Sequence, residues 1–138
     1  MAFVVDASIA AAWMLPDEQT SATDAVLERL TAAPALVPSL FWHEARSLFL
    51  TAERRGRFAA GGAQAAMLRL RLLPLEDQGS GNDRVVLELA AAEALTAYDA
   101  AYLALAVAES AALATLDRKL AAAARRQWVP LLGPLAEP

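Results

Sequence analysis

Four acidic residues occupy positions where carboxylates can do chemistry. They are Asp6, Glu44, Asp99 and Asp117. Asp6 directly follows the apolar run Phe3–Val5, which predicts a buried strand, and Asp117 follows a second such run, Ala112–Leu116. Open α/β sheets place their ligand sites at the C-terminal ends of strands, so both aspartates are candidates for such a site. Each also adjoins a predicted helix, and helix capping is the alternative for both.

Glu44 is predicted to lie within a helix. It falls on or beside the apolar stripe formed by Phe41, Ala45 and Leu48. An unpaired charge on that stripe is costly, so a carboxylate there indicates a function. The alternative is a side chain at the edge of the stripe that reaches water or pairs with an arginine.

Asp99 lies in the first turn of another predicted helix. Thr96-x-x-Asp99 has the form of a capping box, which by itself explains an aspartate at this position. Tyr102, Leu103 and Ala106 share its helical face. Asp99 is therefore expected to point toward packed structure.

The combination of the four acids indicates a cation site. Clustered carboxylates repel each other and need a cation or protons at neutral pH. The chain has no cysteine and only one histidine, His43, which excludes thiolate sites and histidine-rich metal sites within one chain. Hard oxygen ligands select Mg²⁺ or Mn²⁺. Such an ion can orient and deprotonate water and stabilise an in-line displacement at phosphorus.

The apolar pattern predicts the elements that must position these acids. Predicted strands cover Phe3–Val5, Pro34–Pro38, Leu70–Leu75, Ala112–Leu116 and Trp128–Leu132. Predicted helices cover Ile9–Leu15, Thr20–Ala32, Leu40–Arg54, Ala59–Leu70, Val85–Leu95, Tyr98–Glu109 and Asp117–Arg126. Strands that alternate with helices indicate βαβ units and a parallel α/β sheet with helices on both faces. In such a sheet the four acids can converge at one end.

Length and composition predict one domain. The chain has 138 residues, of which 57% are hydrophobic, so it can bury a sizeable core. We expect the domain to cover residues 1–132 and a loose tail to cover 133–138. We find neither a signal peptide nor a charge-free run long enough to span a membrane, and expect a cytoplasmic protein. The net charge of −4 argues against a wholly basic nucleic-acid surface but allows local binding.

Four segments resemble PIN-domain proteins, specifically VapC-type toxins of bacterial toxin–antitoxin pairs. The first is Phe3–Ser8 with Trp13, Leu15 and Pro16, and the others are Pro38–Leu48, Leu95–Leu105 and Leu113–Leu120. They contain the four acids in family order and are spread over nearly the whole chain. The third segment is the most specific.

The resemblance implies a PIN-like αβα sandwich with a short central parallel sheet of about five strands. It also implies a metal-dependent endoribonuclease whose catalytic and metal-binding residues are the four acids. Ser8 and Thr115 would support them. The resemblance further implies a homodimer and a cognate antitoxin that blocks the site. In one departure, Ser47 stands where the family often has an asparagine.

The expected reaction is hydrolysis of an RNA phosphodiester. Asp6, Glu44 and Asp99 would bind one Mg²⁺, with Mn²⁺ as the other possible ion. Asp117 would complete this site or bridge to a second ion.

Several basic residues are candidates for contacts with RNA phosphates. Arg118 and Lys119 are nearest the expected site and are the better candidates. Arg54, Arg55 and Arg57 are also candidates, but they are better explained as cations at a helix C-terminus beside Gly56. His43 is expected to point elsewhere, because it lies about 100° from Glu44 around the helix.

Three other functions stay open. A haloacid-dehalogenase-type phosphatase would use Asp6 as a nucleophile, but that class wants a second aspartate where Ser8 stands. A non-catalytic PIN-like interaction module would keep the fold without the chemistry, and the presence of all four acids argues against it. The third is a PIN nuclease that acts in ribosomal-RNA processing or on DNA.

Overall fold

Five short parallel strands form the centre of the molecule. The structure is a computed structural model that describes residues 2–136. The strands are β1 (Phe3–Val5), β2 (Ala35–Val37), β3 (Leu75–Asp77), β4 (Ala112–Ala114) and β5 (Leu131–Leu132). Their order across the sheet is β3-β2-β1-β4-β5, and each neighbouring pair is parallel.

This strand order creates a switch point between β1 and β4. From β1 the chain first adds β2 and β3 on one side, and later adds β4 and β5 on the other. In open α/β sheets, ligands bind at the C-terminal ends of the strands beside such a point. Asp6 directly follows β1 and Asp117 lies shortly after β4, so both aspartates lie at the expected edge.

Seven α-helices flank the sheet within the described residues and complete an αβα sandwich. They are α1 (Ala7–Met14), α2 (Ser21–Glu28), α3 (Leu40–Arg54), α4 (Gly62–Arg71), α5 (Asp83–Glu93), α6 (Ala97–Ala108) and α7 (Arg118–Arg126). Helix α6 packs directly on β1, β2 and β4, while α5 covers α6. Helices α1 and α3 pack on each other, and α4 lies against α3.

The buried strands and helices follow from their composition. All residues of β1, β2 and β4 are buried, as expected for parallel strands covered on both faces. Helix α1 is apolar on nearly every side and buries all its residues except Ser8. Its alanines allow neighbouring elements to approach closely, which brings the first turn of α1 into the interior.

The third strand begins later than the sequence pattern predicted. We expected it at Leu70–Leu75, but Leu70 is a fully buried residue of α4, and β3 begins only at Leu75. Pro74 separates the two elements because proline cannot continue a helix. A short apolar run is compatible with a buried helix end or a strand, and periodicity alone does not separate them.

The last strand is also shorter than predicted. Trp128 does not begin it: its φ of 61° is left-handed, its indole is 91% exposed, and it follows the end of α7. The strand starts at Leu131, where the chain pairs with β4.

The domain boundary at residue 132 and the loose tail stay predictions. Gly133–Ala136 form a turn with a hydrogen bond from Ala136 N–H to the Gly133 carbonyl, and Glu137 and Pro138 lie outside the described residues. Between residues 2 and 136 no helix has both the length and the apolar character needed to cross a membrane.

Candidate active site

Asp6 is held by hydrogen bonds on both carboxylate oxygens. It is the N-cap of α1: its Oδ1 accepts from the N–H groups of Ser8 (3.1 Å) and Ile9 (3.3 Å). The same oxygen accepts from the Ser8 hydroxyl at 2.5 Å, and Oδ2 accepts from the Thr115 hydroxyl. With 6% of its surface exposed, Asp6 is a buried carboxylate, and hydrogen bonds to both of its oxygens fix its orientation.

Ser8 and Thr115 connect the ends of β1 and β4. The Ser8 hydroxyl donates to Asp6 and accepts from the N–H of Leu116 at 2.9 Å. The Thr115 hydroxyl likewise donates to Asp6 and accepts from the N–H of Asp117 at 2.9 Å. Such contacts are expected of residues that support the acids. The functional role of Ser8 and Thr115 stays a prediction.

Asp117 is the N-cap of α7 and also faces the candidate site. Its Oδ1 accepts from the N–H groups of Lys119 (2.8 Å) and Leu120 (3.1 Å). Asp6 and Asp117 therefore both cap helices and line the same cleft, so the two interpretations offered by the sequence hold together.

Glu44 and Asp99 approach the cleft from helices α3 and α6. Glu44 is partly buried, and its Oε1 accepts a hydrogen bond from the Tyr102 hydroxyl at 2.5 Å. Thr96 caps α6 by accepting from the N–H of Asp99 at 3.1 Å, but the return bond from the Thr96 N–H to the Asp99 carboxylate, which would complete the predicted capping box, is not formed. The Asp99 carboxylate is partly buried.

All four predicted acids line one cleft of about 260 Å³. The lining residues are Asp6, Ala7, Ser8, Glu44, Ser47, Leu48, Asp99, Tyr102 and Asp117. A second cleft of about 200 Å³ lies between the 78–82 loop and α6, and none of the four acids lines it. Glu109 is the one carboxylate that lines the second cleft, so chemistry that needs several carboxylates belongs to the first cleft.

Burial and mutual repulsion make the acids of the cleft harder to ionise. Burial raises the pKa of Asp6 to about 6, although hydrogen bonds from Ser8 and Thr115 lower it, and the charge of Glu44 raises it further. Burial also raises the pKa of Glu44, while the Tyr102 hydrogen bond lowers it and the charge of Asp99 raises it.

Burial and repulsion act on Asp99 as well. Burial raises the pKa of Asp99, and the charge of Asp117 raises it further. A chain of neighbouring negative charges therefore runs from Asp6 through Glu44 and Asp99 to Asp117. Such a chain favours binding of a cation.

The side chains that line the cleft provide oxygen donors that suit a hard cation. The side chains that can bind an ion are carboxylates and hydroxyls, which are hard oxygen donors. In the part of the chain that the structure describes, no three acidic or histidine side chains are close enough to hold one ion together. Mg²⁺ is commonly bound by one or two carboxylates and keeps several waters. The donors therefore fit that mode of binding, and the predicted three-carboxylate site stays a prediction.

The predicted basic residues differ in their distance from the cleft. Arg118 and Lys119 are exposed at the start of α7 and do not line the cleft, but the charge of Lys119 lowers the pKa of Asp99. Arg57 forms ion pairs with Asp17 (3.0 Å) and Glu18 (2.5 Å). Those pairs compete with any phosphate contact.

Two neighbours of Glu44 on α3, His43 and Ser47, differ in whether they line the cleft. His43 is exposed, its Nδ1 accepts a hydrogen bond from the Arg46 guanidinium at 2.9 Å, and it does not line the cleft. Ser47, which stands where the family often has an asparagine, does line it.

The contact between Tyr102 and Glu44 was not predicted from the sequence. Tyr102 was expected only to share a helical face with Asp99, yet its hydroxyl reaches Glu44 on another helix. A signal was present, because the phenol of a buried tyrosine needs a hydrogen-bond partner.

Comparisons with known proteins agree with this fold. A family model described as PIN domain matches residues 3–126. The crystal structure of PAE2754 from Pyrobaculum aerophilum superposes with a TM-score of 0.71 and 22% sequence identity, covering 89% of this chain and 79% of that chain. No curated protein matches the sequence.

Proposed function

Because this chain belongs to the PIN domain family, we propose that it is a metal-dependent endoribonuclease that hydrolyses RNA phosphodiester bonds. The family membership supports a nuclease fold. The observation that carries the rest of the proposal is that Asp6, Glu44, Asp99 and Asp117 line one cleft at the C-terminal edge of the sheet. A cation bound among these carboxylates would balance the negative charge of a phosphate.

The four carboxylates would act as the cation site. A bound Mg²⁺ or Mn²⁺ would supply a Lewis acid that activates water and balances the charge of the phosphate. Asp6, whose two oxygens are held by Ser8 and Thr115, would be the most rigid anionic group. Glu44, Asp99 and Asp117 would orient the waters around the ion and the attacking water through their free oxygens.

Basic groups at the start of α7 would bind the RNA backbone. Arg118 and Lys119 are exposed, and Lys119 is near enough to Asp99 to affect its pKa. Phosphate contacts of this kind position a nucleic acid without reading its sequence. They would draw the scissile phosphate toward the cleft despite the net charge of −4.

The resemblance of the four motifs to VapC-type proteins supports a finer role. We propose that the enzyme is a cytoplasmic toxin, that it forms a homodimer, and that a cognate antitoxin neutralises it by blocking the cleft. An antitoxin reading frame adjacent to the gene would support this role, and its absence would favour a housekeeping nuclease.

One observation favours a second candidate, a PIN-like interaction module without catalysis. Among the described residues no three acidic or histidine side chains converge on one point. A module of this kind would tolerate that spread, whereas the nuclease needs at least one well-formed cation site.

The deciding experiment is cleavage of a panel of structured RNAs with Mg²⁺ or Mn²⁺. Wild type should cleave, EDTA should stop cleavage, and Asp6→Asn and Asp99→Asn should each abolish it. Asp24→Asn is the matched control, because Asp24 is an exposed carboxylate on α2 that does not line the cleft. Cleavage that survives both cleft substitutions would contradict the site, and cation binding without cleavage would favour the interaction module.

A further inference from the structure

Tyr102 places a buried phenol at the wall of the cleft. Its side chain is 1% exposed, so the ring belongs to the core, while its hydroxyl reaches the cleft. The hydroxyl donates to Oε1 of Glu44 at 2.5 Å, across 58 positions of sequence. This side-chain contact joins α6 to α3.

The hydrogen bond restricts a side chain that is otherwise loosely held. Within residues 2–136, Oε2 of Glu44 accepts no hydrogen bond. Glutamate has several rotatable bonds, and its neighbours His43, Arg46 and Ser47 are exposed. The phenol is therefore the contact that limits where the Glu44 carboxylate lies.

The Tyr102 hydroxyl also lies near the segment that carries Asp6. Ala7, the residue after Asp6, lines the same cleft as Tyr102. Burial raises the pKa of the phenol, as do Glu44 and the charge of Asp6, while the Ala7 backbone lowers it. Because the ring is fixed in the core, its hydroxyl holds the Glu44 carboxylate in the same cleft as the first turn of α1.

We propose that Tyr102 is a positioning residue: its hydroxyl holds the Glu44 carboxylate at a set place relative to Asp6 and leaves Oε2 of Glu44 for a divalent cation. This inference rests on the proposed function, since it concerns the same cleft. Groups that orient metal ligands typically contribute about 10- to 100-fold to metal affinity or activity.

The test compares Tyr102→Phe with Tyr98→Phe. Both remove one phenol hydroxyl from α6, but Tyr98 is 67% exposed and does not line the cleft. Tyr102→Phe should weaken Mn²⁺ binding, measured by calorimetry, by about 10- to 100-fold. It should also lower kcat for RNA cleavage while KM stays constant, and Tyr98→Phe should match wild type. A Tyr102→Phe protein with wild-type Mn²⁺ affinity would overturn the inference.

A double-mutant comparison separates positioning from a general effect on the fold. If Tyr102 acts through Glu44, Tyr102→Phe should cause no further loss of Mn²⁺ affinity in a Glu44→Gln background. An equal loss in both backgrounds would overturn the inference. A wild type that neither binds Mn²⁺ nor cleaves RNA would instead refute the proposed function, and this inference with it.

A further measurement leaves Tyr102 in place. The chain has two tyrosines, so in Tyr98→Phe protein grown with fluorotyrosine the ¹⁹F NMR spectrum reports Tyr102 alone. Mg²⁺ should shift this resonance, and Glu44→Gln should remove the shift. An unchanged resonance at saturating Mg²⁺ would overturn the inference even if Tyr102→Phe did not fold.

Discussion

Asp6 is the most constrained side chain of the candidate site. Its carboxylate is buried, accepts hydrogen bonds on both oxygens, and lies near the charge of Glu44. The donors orient the anion, but they do not replace the water lost on burial, and its pKa is raised to about 6. Without a cation, this carboxylate is therefore a source of instability at neutral pH.

The pH dependence of folding should reveal this cost. The pKa of Asp6 is higher in the folded protein than the ordinary value of 3.8. Its contribution to the free energy of unfolding is therefore fully present below pH 3.8 and is lost as the pH rises through about 6. The loss amounts to about 3 kcal/mol, at about 1.4 kcal/mol for each pKa unit. Urea unfolding in EDTA at several pH values should show it.

The matched variants isolate the contribution of Asp6. Asp6→Asn should lose this part of the pH dependence, whereas Asp24→Asn should keep it. If wild type and Asp6→Asn respond equally to pH between 4 and 7, the raised pKa of Asp6 is contradicted.

At the scale of elements, three helices begin at the candidate site. Helices α1 and α7 are capped by Asp6 and Asp117, and α6 is capped by Thr96 with Asp99 in its first turn. The N-terminus of a helix carries partial positive charge, which favours nearby carboxylates. These helix ends offset part of the repulsion among the acids.

Two substitutions of Asp117 should separate capping from cation binding. Asparagine caps helices as well as aspartate does, so Asp117→Asn should keep the free energy of unfolding and lose Mn²⁺ affinity. Asp117→Ala should lose Mn²⁺ affinity and also about 1 kcal/mol of stability, because the N–H groups of Lys119 and Leu120 lose their acceptor. Urea unfolding and calorimetry measure the two effects, and equal stability of the two variants would contradict the capping role.

At the scale of the whole molecule, the cleft joins four separate parts of the chain. Its acids come from the ends of β1 and β4 and from helices α3 and α6, and the strand order brings these parts to one edge. A ligand bound between them would favour the folded state, because the unfolded chain has no such cleft.

Mn²⁺ should therefore raise the melting temperature of wild type. At a concentration about 100 times Kd, one bound ion adds about 2.7 kcal/mol to the free energy of unfolding. Calorimetric melting curves with increasing Mn²⁺ should show a rise for wild type and Asp24→Asn, and a smaller one or none for Asp6→Asn. A rise of the same size in Asp6→Asn would indicate that the ion binds elsewhere.

Much of the fold was predictable because its signals are local. The bounds Leu40–Arg54 of α3 were predicted without error, since an apolar stripe of helical period ends shortly before Gly56; the side chain of Ser39, which precedes the helix, does not cap it. The strand–helix alternation likewise predicted the parallel sheet. Leu70–Leu75 was assigned to a strand because the distinction there depends on contacts with α3 and β2, which a short apolar run does not encode.

The sequence by itself determined which residues are able to do chemistry, namely four carboxylates with no thiolate and a single histidine, because residue type is independent of folding. Their motifs also predicted the family. Only the tertiary structure decided that Asp6 and Asp117 cap helices while lining the cleft, and that Tyr102 contacts Glu44. The physical reason is distance along the chain: a contact across 58 or 109 positions exists only after the strands have paired in their final order.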